Sequence, residues 1–392
     1  MNSNKNIPQL RFPGFSGEWE EKKLGDVLGY EQPTKYLVSS DSYQKEGTPV
    51  LTAGKTFLLG YTKENTGIYD KVPVIIFDDF VTESKYVTFP FKAKSSAMKM
   101  LSLKNKLDNL YFAYISMVLH QKTVSDHKRH WISETSQIQI LIPPSPAEQQ
   151  RIAECLSEID NLIAAQGQKV DALKEKKKGM MQQMFPQKGE TTPRLRFPGF
   201  TGEWGEKKFK EITYPSGKKN RHNLPYERYS ISNEVGFYPQ SSQFEDGGGY
   251  LKNIDCRQYI IVSPHSFAYN PARINVGSIG YQNLEKDVIV SSLYEVFQTN
   301  ELCDDLFLWQ WFHSDIFHRM VIDVQEGGVR QYFFYEKLRE CIIRLPLPAE
   351  QQKIAECLSA MDDMIASESE KLDALKDHKK GLMQQLFPQP NK

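Results

Sequence analysis

Between residues 146 and 184 the apolar side chains recur at steps of four and three: Ile152, Leu156, Ile159, Ile163, then Val170 and Leu173, and later Met180 and Met184. Ile354, Leu358, Met361, Ile365, Leu372, Leu375, Leu382 and Leu386 repeat the pattern near the end of the chain. Apolar positions on this period fall along one stripe of a helix, and the alternation of four and three is the a/d seam of a coiled coil. Polar residues interrupt both seams at matching places, Gln166 and Lys177 in the first, Glu368 and Lys379 in the second. Ser145-Pro146-Ala147-Glu148 reads as a helix start, with serine at the N-cap, proline at the first helical position and glutamate closing a capping box. The second copy keeps Pro348 and Glu350 but carries Leu347 at the cap, which predicts a weaker start. Phe185-Pro186 and Phe387-Pro388 end the two stretches, because proline cannot continue the helical ladder. About 38 residues at 1.5 Å each make a rod of roughly 57 Å.

The helices belong to a larger repeat. PQLRFPGFSGEWEEKKLGDV (8–27) returns as PRLRFPGFTGEWGEKKFKEI (193–212), identical at 13 of 20 positions. The block 143–187, helix included, returns as 345–389 with 29 of 45 positions identical. The stretches between box and helix, 28–142 and 213–344, show no obvious likeness. Duplicated frames around two dissimilar inserts suggest one architecture presenting two specificities. Only Lys188-Gly189-Glu190-Thr191-Thr192 separates the first helix block from the second box, so the second insert follows the far end of helix one. Helix two is then expected to run back antiparallel along helix one, and a midpoint register puts Gln166 opposite Glu368, Lys177 near Glu356 and Lys379 near Glu154. Phe12, Phe15 and Trp19, with Phe197, Phe200 and Trp204, read as aromatic anchors, the first set near Phe387.

Composition narrows the function. At 392 residues with 40% hydrophobic and 12% aromatic content, the chain is long enough for two domains with real cores. No apolar run approaches a membrane span, and the first residues lack the apolar core of a secretory signal. Five scattered cysteines without a C-x-x-C fit a reducing cytoplasm. The formal net charge is zero. Residues 1–142 hold 18 basic and 15 acidic side chains and residues 188–344 hold 19 and 20, so a nucleic-acid surface must come from local placement.

Gly54-Lys55-Thr56 has the ending of a phosphate-binding loop, but Pro49 stands where the motif needs its first glycine. The following Phe57-Leu58-Leu59-Gly60-Tyr61-Thr62 reads as strand and turn, not the helix whose N-terminus would hold phosphate. Asn270-Pro271-Ala272-Arg273 lacks the second proline and the aromatic of an adenine-methyltransferase loop. Asp78 and Asp79 are adjacent on a strand and face opposite ways, poorly placed to share one ion. His313 and His318 lack the companions of a zinc site. These spacings point away from an enzyme.

LRFPGF-x-GEW-x-EKK beside each insert and P-x-P-x-EQQ at each helix start resemble the specificity (S) subunits of type I restriction-modification systems, over essentially the whole chain. The resemblance implies an α+β fold: two mixed α/β target recognition domains (1–142 and 188–344) joined by two long spacer helices (143–187 and 345–392). The helices would form an antiparallel coiled coil with a pseudo-twofold internal repeat. It also implies that each domain reads one half of a split site in double-stranded DNA. The helices would dock two methyltransferase (M) subunits, through which restriction (R) subunits join. S-adenosylmethionine would then belong to the methyltransferase and ATP and Mg to the restriction partner, with no cofactor on this chain. A standalone DNA-binding regulator on the same scaffold is the alternative, disfavoured by the neutral charge.

Base readout uses side chains with donors and acceptors, and phosphate contacts use cations. In the first domain the densest basic and aromatic cluster is Asp126-His127-Lys128-Arg129-His130-Trp131, matched in the second by residues 326–332 with Arg330, Gln331 and Tyr332. Lys55 and Thr56, with Tyr61, form one further turn and Lys94, Ser95 and Ser96 another. The second domain adds Lys218, Lys219, Arg221 and His222, and then Arg273 and Asn275.

Overall fold

The computed structural model describes residues 6–121, 128–233, 236–243, 254–325 and 332–388. The chain folds as two compact units, one of residues 1–167 and 370–392, the other of 168–369. Each unit therefore contains part of both long helices.

In the first unit β1 (Glu20–Lys23), a single helical turn α1 (Leu24–Val27) and β2 (Leu28–Glu31) follow the box. Then come β3 (Thr48–Leu51), β4 (Leu58–Thr62), β5 (Val74–Asp78), β6 (Ser84–Val87), β7 (Lys92–Ala93), β8 (Met98–Leu103) and α2 (Leu110–His120). β9 (Gln139–Ile142) leads into the long helix α3 (Pro146–Met184). The second unit has β10 (Gly205–Lys208), α4 (Phe209–Ile212), β11 (Thr213–Pro215), β12 (Lys218–Lys219), β13 (Tyr229–Ser232) and β14 (Gly236–Pro239). It continues with β15 (Ile260–Val262), β16 (Phe267–Tyr269), β17 (Ile279–Tyr281), β18 (Val288–Val290) and β19 (Glu295–Thr299). Helices α5 (Asp305–Phe312), α6 (Asp315–Gln325) and α7 (Tyr335–Leu338), then β20 (Ile342–Leu345), precede the second long helix α8 (Pro348–Leu386).

The two inserts share a main sheet that their sequences do not reveal. Its order is β2-β8-β5-β6 in the first unit and β11-β19-β16-β17 in the second, antiparallel throughout. Alternation along the strands divides the core. Ile75, Phe77 and Leu101 face α2, while Val74, Ile76, Met98 and Met100 face the small sheet β4-β3-β7. In the second unit Phe267, Tyr269 and Phe297 lie on one side and Ala268 and Val296 on the other. Successive strand side chains point to opposite faces, so a continuous apolar run such as VIIF marks a strand covered on both.

The duplicated frame closes each unit in the same way. β1 pairs with β9 and β10 with β20, so each box is stitched to the strand that enters the long helix. The Arg11 guanidinium donates to both oxygens of the Glu148 carboxylate (2.8 Å each) and to the carbonyls of Gly17 (2.6 Å) and Ser16 (3.0 Å). Arg196 holds Glu350 identically, at 2.7 and 2.8 Å, with the carbonyls of Gly202 and Thr201 beyond. Both glutamates are 1% exposed. The capping-box role expected of Glu148 thus gives way to a buried ion pair with a residue 137 positions away. The next residue acts as well. Gln149 accepts the amide of Asn109, the N-cap of α2 (2.9 Å), and Gln351 accepts the amide of Asp304, the N-cap of α5 (2.8 Å).

The anchors divide. Trp19 packs edge-on against Phe112 (5.6 Å) and Phe387 (5.9 Å), and the Leu10 amide donates to the Gln385 carbonyl, so the first box meets the end of α8. Trp204 meets Phe185 and Phe307, and Leu195 donates to Gln183. Phe12 and Phe197 pack at the edges of these cores, whereas Phe15 and Phe200 stay partly exposed.

The apolar stripe of each long helix serves a domain core. Ile152 and Leu156 pack into the first unit's core and Ile354 and Leu358 into the second's. Beside these, the helices meet through ion pairs. Lys177 reaches Asp362 and Lys379 reaches Asp160, each at 2.5 Å, and Lys169 pairs with Glu368 at 2.9 Å. In the second unit the pairing of 169 with 368 and 177 with 362 runs in opposite senses along the two helices. Lys177 and Lys379 each land six residues beyond the expected Glu356 and Glu154, where Gln310 and Tyr111, donating from α5 and α2, hold Asp362 and Asp160 at the contact.

Replacing Arg11 by Ala strands a buried carboxylate, and the expected cost is about 3 kcal/mol in urea unfolding. Arg11→Lys recovers only part of it, since an ammonium cannot make the two-point contact.

Candidate nucleic-acid interface

In the first unit four loops are strung along one rim. Strands β3 and β7 are parallel, Leu51 opposite Ala93, so the turns that follow them leave the same end of the sheet. The first turn exposes Lys55 and Thr56 and the second carries Lys94, Ser95 and Ser96. The Lys94 amide donates to Leu51 (3.0 Å), the Asp79 amide to Ala97 (3.1 Å), and the His130 amide to the Asp79 carbonyl (2.9 Å). The β5–β6 turn and the segment from Lys128 thereby join the same edge.

The predicted residues on this rim have different fates. Lys55, Thr56, Ser96, Lys128 and Arg129 are exposed. Lys94 is paired with Asp41, which pushes its ammonium above the ordinary range, and the Ser95 hydroxyl accepts the Ala97 amide (3.1 Å). His130 and Trp131 are corrections: both are buried. The Trp131 ring packs edge-on against Phe77 (5.3 Å) and its amide donates to Asp79 Oδ1 (2.8 Å), while His130 Nδ1 lies 3.1 Å from Glu134. A tryptophan beside two cations looks like a stacking surface in sequence, yet here it is the plug that seats them. Tyr61 is the other correction. It lies on β4 opposite Pro49, at the far end of the hairpin from Lys55 and Thr56. Asp78 and Asp79 are both committed: Asp78 accepts the amides of Phe80 and Val81, and buried Asp79 pairs with Lys99 at 2.8 Å.

The second unit builds a comparable rim. Lys218 and Lys219 form the exposed edge strand β12, with Lys219 donating to Gln258. Arg221 and His222 are exposed on a turn built by buried Asn220, whose side chain exchanges two 2.9 Å bonds with the backbone of Leu224. Lys219 stands opposite Ile260, and Ile260 opposite Val290, so this turn lies at the end where β18 turns into β19. Tyr269 stands opposite Glu295, which starts the loop 270–278 at that end too. That loop exposes Arg273 and Asn275 around buried Ile274 and closes on Gly277 at φ +85°, a conformation suited to glycine. Asn270 accepts the Ala272 amide and so shapes the turn. The Phe333 amide donates to the Pro271 carbonyl (3.0 Å), the counterpart of the His130–Asp79 bond, and places Tyr332 and Phe334, stacked at 5.4 Å, beside Arg273 and its loop. Arg330 and Gln331, like Asp126 and His127, lie outside the described residues.

Sequence reasoning missed Phe80, Val81 and Ile132 on the first rim and Val276 and Phe334 on the second, all exposed. The signal was present as apolar residues inside turns, where solvent exposure disfavours them.

The family description "Type I restriction modification DNA specificity domain" matches residues 16–175 and 202–377. The chain belongs to this family, as a specificity subunit. Over 137 residues, 33% of each chain, it is 52% identical to the specificity subunit of the type I restriction enzyme EcoR124I/EcoR124II of Escherichia coli. The MjaVIII specificity subunit of Methanocaldococcus jannaschii is 24% identical over 98% of this chain and 94% of its own. The solved S subunit of the type I restriction-modification system of M. genitalium superposes with a TM-score of 0.65 at 14% identity, covering 98% of this chain and 100% of that one, a likeness of fold. Among the described residues, no helix is long and apolar enough to cross a membrane.

The burial pattern separates support from surface. Trp131→Ala is expected to cost about 3 kcal/mol or more in unfolding free energy, whereas Arg129→Ala stays within about 0.5 kcal/mol; paired urea titrations check both.

Proposed function

We propose that this chain supplies the DNA sequence specificity of a type I restriction-modification complex, each recognition domain (1–142 and 188–344) reading one half of a bipartite, asymmetric site. One observation carries the reading: a single duplicated frame holds two rims built on the same sheet order but lined by different side chains. Identical halves would read a symmetric site; dissimilar halves read unequal ones. On these rims Lys55, Lys128, Arg129, Lys218, Arg221 and Arg273 supply exposed positive charge for phosphates, and Asn275 and Tyr332 supply groups able to meet base edges or faces.

In the same reading α3 and α8 form one antiparallel coiled coil with a pseudo-twofold relation between its halves. The reciprocity of Lys177–Asp362 and Lys379–Asp160 supports it, since each pair is the other displaced by one repeat of 202 residues. The coiled coil sets the spacing of the half-sites, on the order of one DNA turn, and docks two adenine-N6 methyltransferase subunits, with restriction subunits joining through them. S-adenosylmethionine, ATP and Mg belong to those partners. This chain contributes recognition and no catalytic group.

Co-expression of the full chain with its methyltransferase subunit, in a host without adenine methylation, is expected to yield a split N6-methyladenine motif with unequal halves. Exchange of residues 28–142 should change one half alone. An active methyltransferase that gives no motif with this chain would overturn the reading.

Register is testable separately. Lys379→Asp should weaken folding, and adding Asp160→Lys should restore it by about 1 kcal/mol or more of coupling in a double-mutant cycle.

A further inference from the structure

The β5–β6 turn of the first unit has features that its fold does not require. Phe80 and Val81 are 37% and 43% exposed at its tip, and Ile132, which follows the docked segment, is 65% exposed. These apolar side chains lie along the same edge as the exposed cations Lys128 and Arg129. An apolar tip offered to water is unfavourable by itself, and cations around it favour a polyanionic occupant over a second protein core.

The tip is also tightly built. Asp78 Oδ1 accepts the amides of Phe80 (2.9 Å) and Val81 (3.2 Å), and the Thr82 amide donates to the Asp78 carbonyl (2.9 Å). Thr82 itself sits at φ 58°, a strained conformation for a β-branched residue. Behind the tip, Asp79 receives Lys99 Nζ (2.8 Å) and the Trp131 amide (2.8 Å) on its carboxylate and the His130 amide on its carbonyl. One buried carboxylate therefore fixes the turn to the segment bearing Lys128 and Arg129.

In double-stranded DNA the apolar group displayed in the major groove is the thymine 5-methyl, which side chains of this kind recognise by contact. Resting on the DNA reading above, we propose that Phe80 and Val81 contact thymine methyls in the half-site of the first domain. Asp79, paired with Lys99, is the positioning residue that holds this tip in register with Lys128 and Arg129.

The test uses the full chain in complex with its methyltransferase subunit, and duplexes carrying the motif found by methylation mapping. Deoxyuridine replaces thymine, removing only the methyl. Wild-type complex should lose about tenfold in affinity at one or more first-half positions. The Phe80→Ala/Val81→Ser variant should bind both duplexes alike while discriminating normally in the second half. Asp79→Asn should reduce the same discrimination; the Asp79→Asn/Lys99→Met variant, which leaves no buried charge, keeps the test valid where the single change unfolds the chain. A merely structural role for Asp79 would lower binding in both halves together and overturn the assignment. So would a first half-site without thymine, indifference of the wild type to deoxyuridine, or intact discrimination in the tip variant. A wild-type complex that yields no motif at all fails the DNA reading itself, which separates the two.

Discussion

A carboxylate buried in the first turn of a long helix is the constraint on which each unit is organised. Glu148 and Glu350 are almost inaccessible, and a buried carboxylate is tolerable only with a matched cation. Arg11 and Arg196 supply it with two-point geometry, and their remaining hydrogens reach carbonyls of their own boxes. The box is thereby folded onto the helix start. The neighbouring Gln149 and Gln351 bind the N-cap amides of α2 and α5, so the domain helix is fixed from the same turn. Box, domain helix and spacer helix are far apart in sequence and converge on two consecutive side chains. None of the three can drift alone without stranding a buried charge or a polar group, which accounts physically for why the frames match while the inserts do not.

Within that frame the inserts solve one problem twice. Both have a four-stranded antiparallel sheet in the same order, and in both a backbone amide from the segment before the last strand docks on the loop after the third strand of that order. The solutions differ in detail. The first uses a short turn with Thr82 in the left-handed region and a buried Asp79–Lys99 pair; the second uses a longer loop closed by Gly277 and a stacked Tyr332–Phe334 pair. Backbone pairing supplies the scaffold and leaves the side chains of the rim free to differ.

What sequence could reveal follows from the range of each interaction. The long helices were legible because periodicity and proline are local signals: α3 begins at Pro146 and ends at Met184, just before Phe185-Pro186. The repeat and the meeting of the first box with Phe387 were legible because connectivity forced them. The role of Glu148 was not, since a local capping box and a bidentate partner 137 residues away leave the same residue type in the same place. The register was not, because a seam repeating by heptads is nearly degenerate to sliding, and the choice was made by Tyr111 and Gln310, which belong to the inserts. His130 and Trp131 were misplaced for a related reason: composition marks a segment but does not say which side chains turn inward.

The same polar contacts bear on how unlike domains share one frame. Hydrophobic packing of α2 and α5 on the long helices is strong but weakly directional, and alone it would let each domain rotate or slide. Asp160 and Asp362 remove that freedom. Each accepts a lysine from the other long helix and a donor from its own domain helix, Tyr111 in one case and Gln310 in the other. Burial first, and then Asp160, raise the Tyr111 hydroxyl well above its usual range, so it remains a donor across the physiological range; the Gln310 amide does not titrate. A phenol and an amide are unlike in size and chemistry, but each delivers one hydrogen to one carboxylate oxygen. At the long helices the frame asks of an insert a hydrogen-bond donor at that point, a capping residue for the glutamine, an apolar helix face and a strand to pair with the box. That short list leaves the rim residues unconstrained, and it is what allows two dissimilar inserts to be mounted on two copies of one repeated helix.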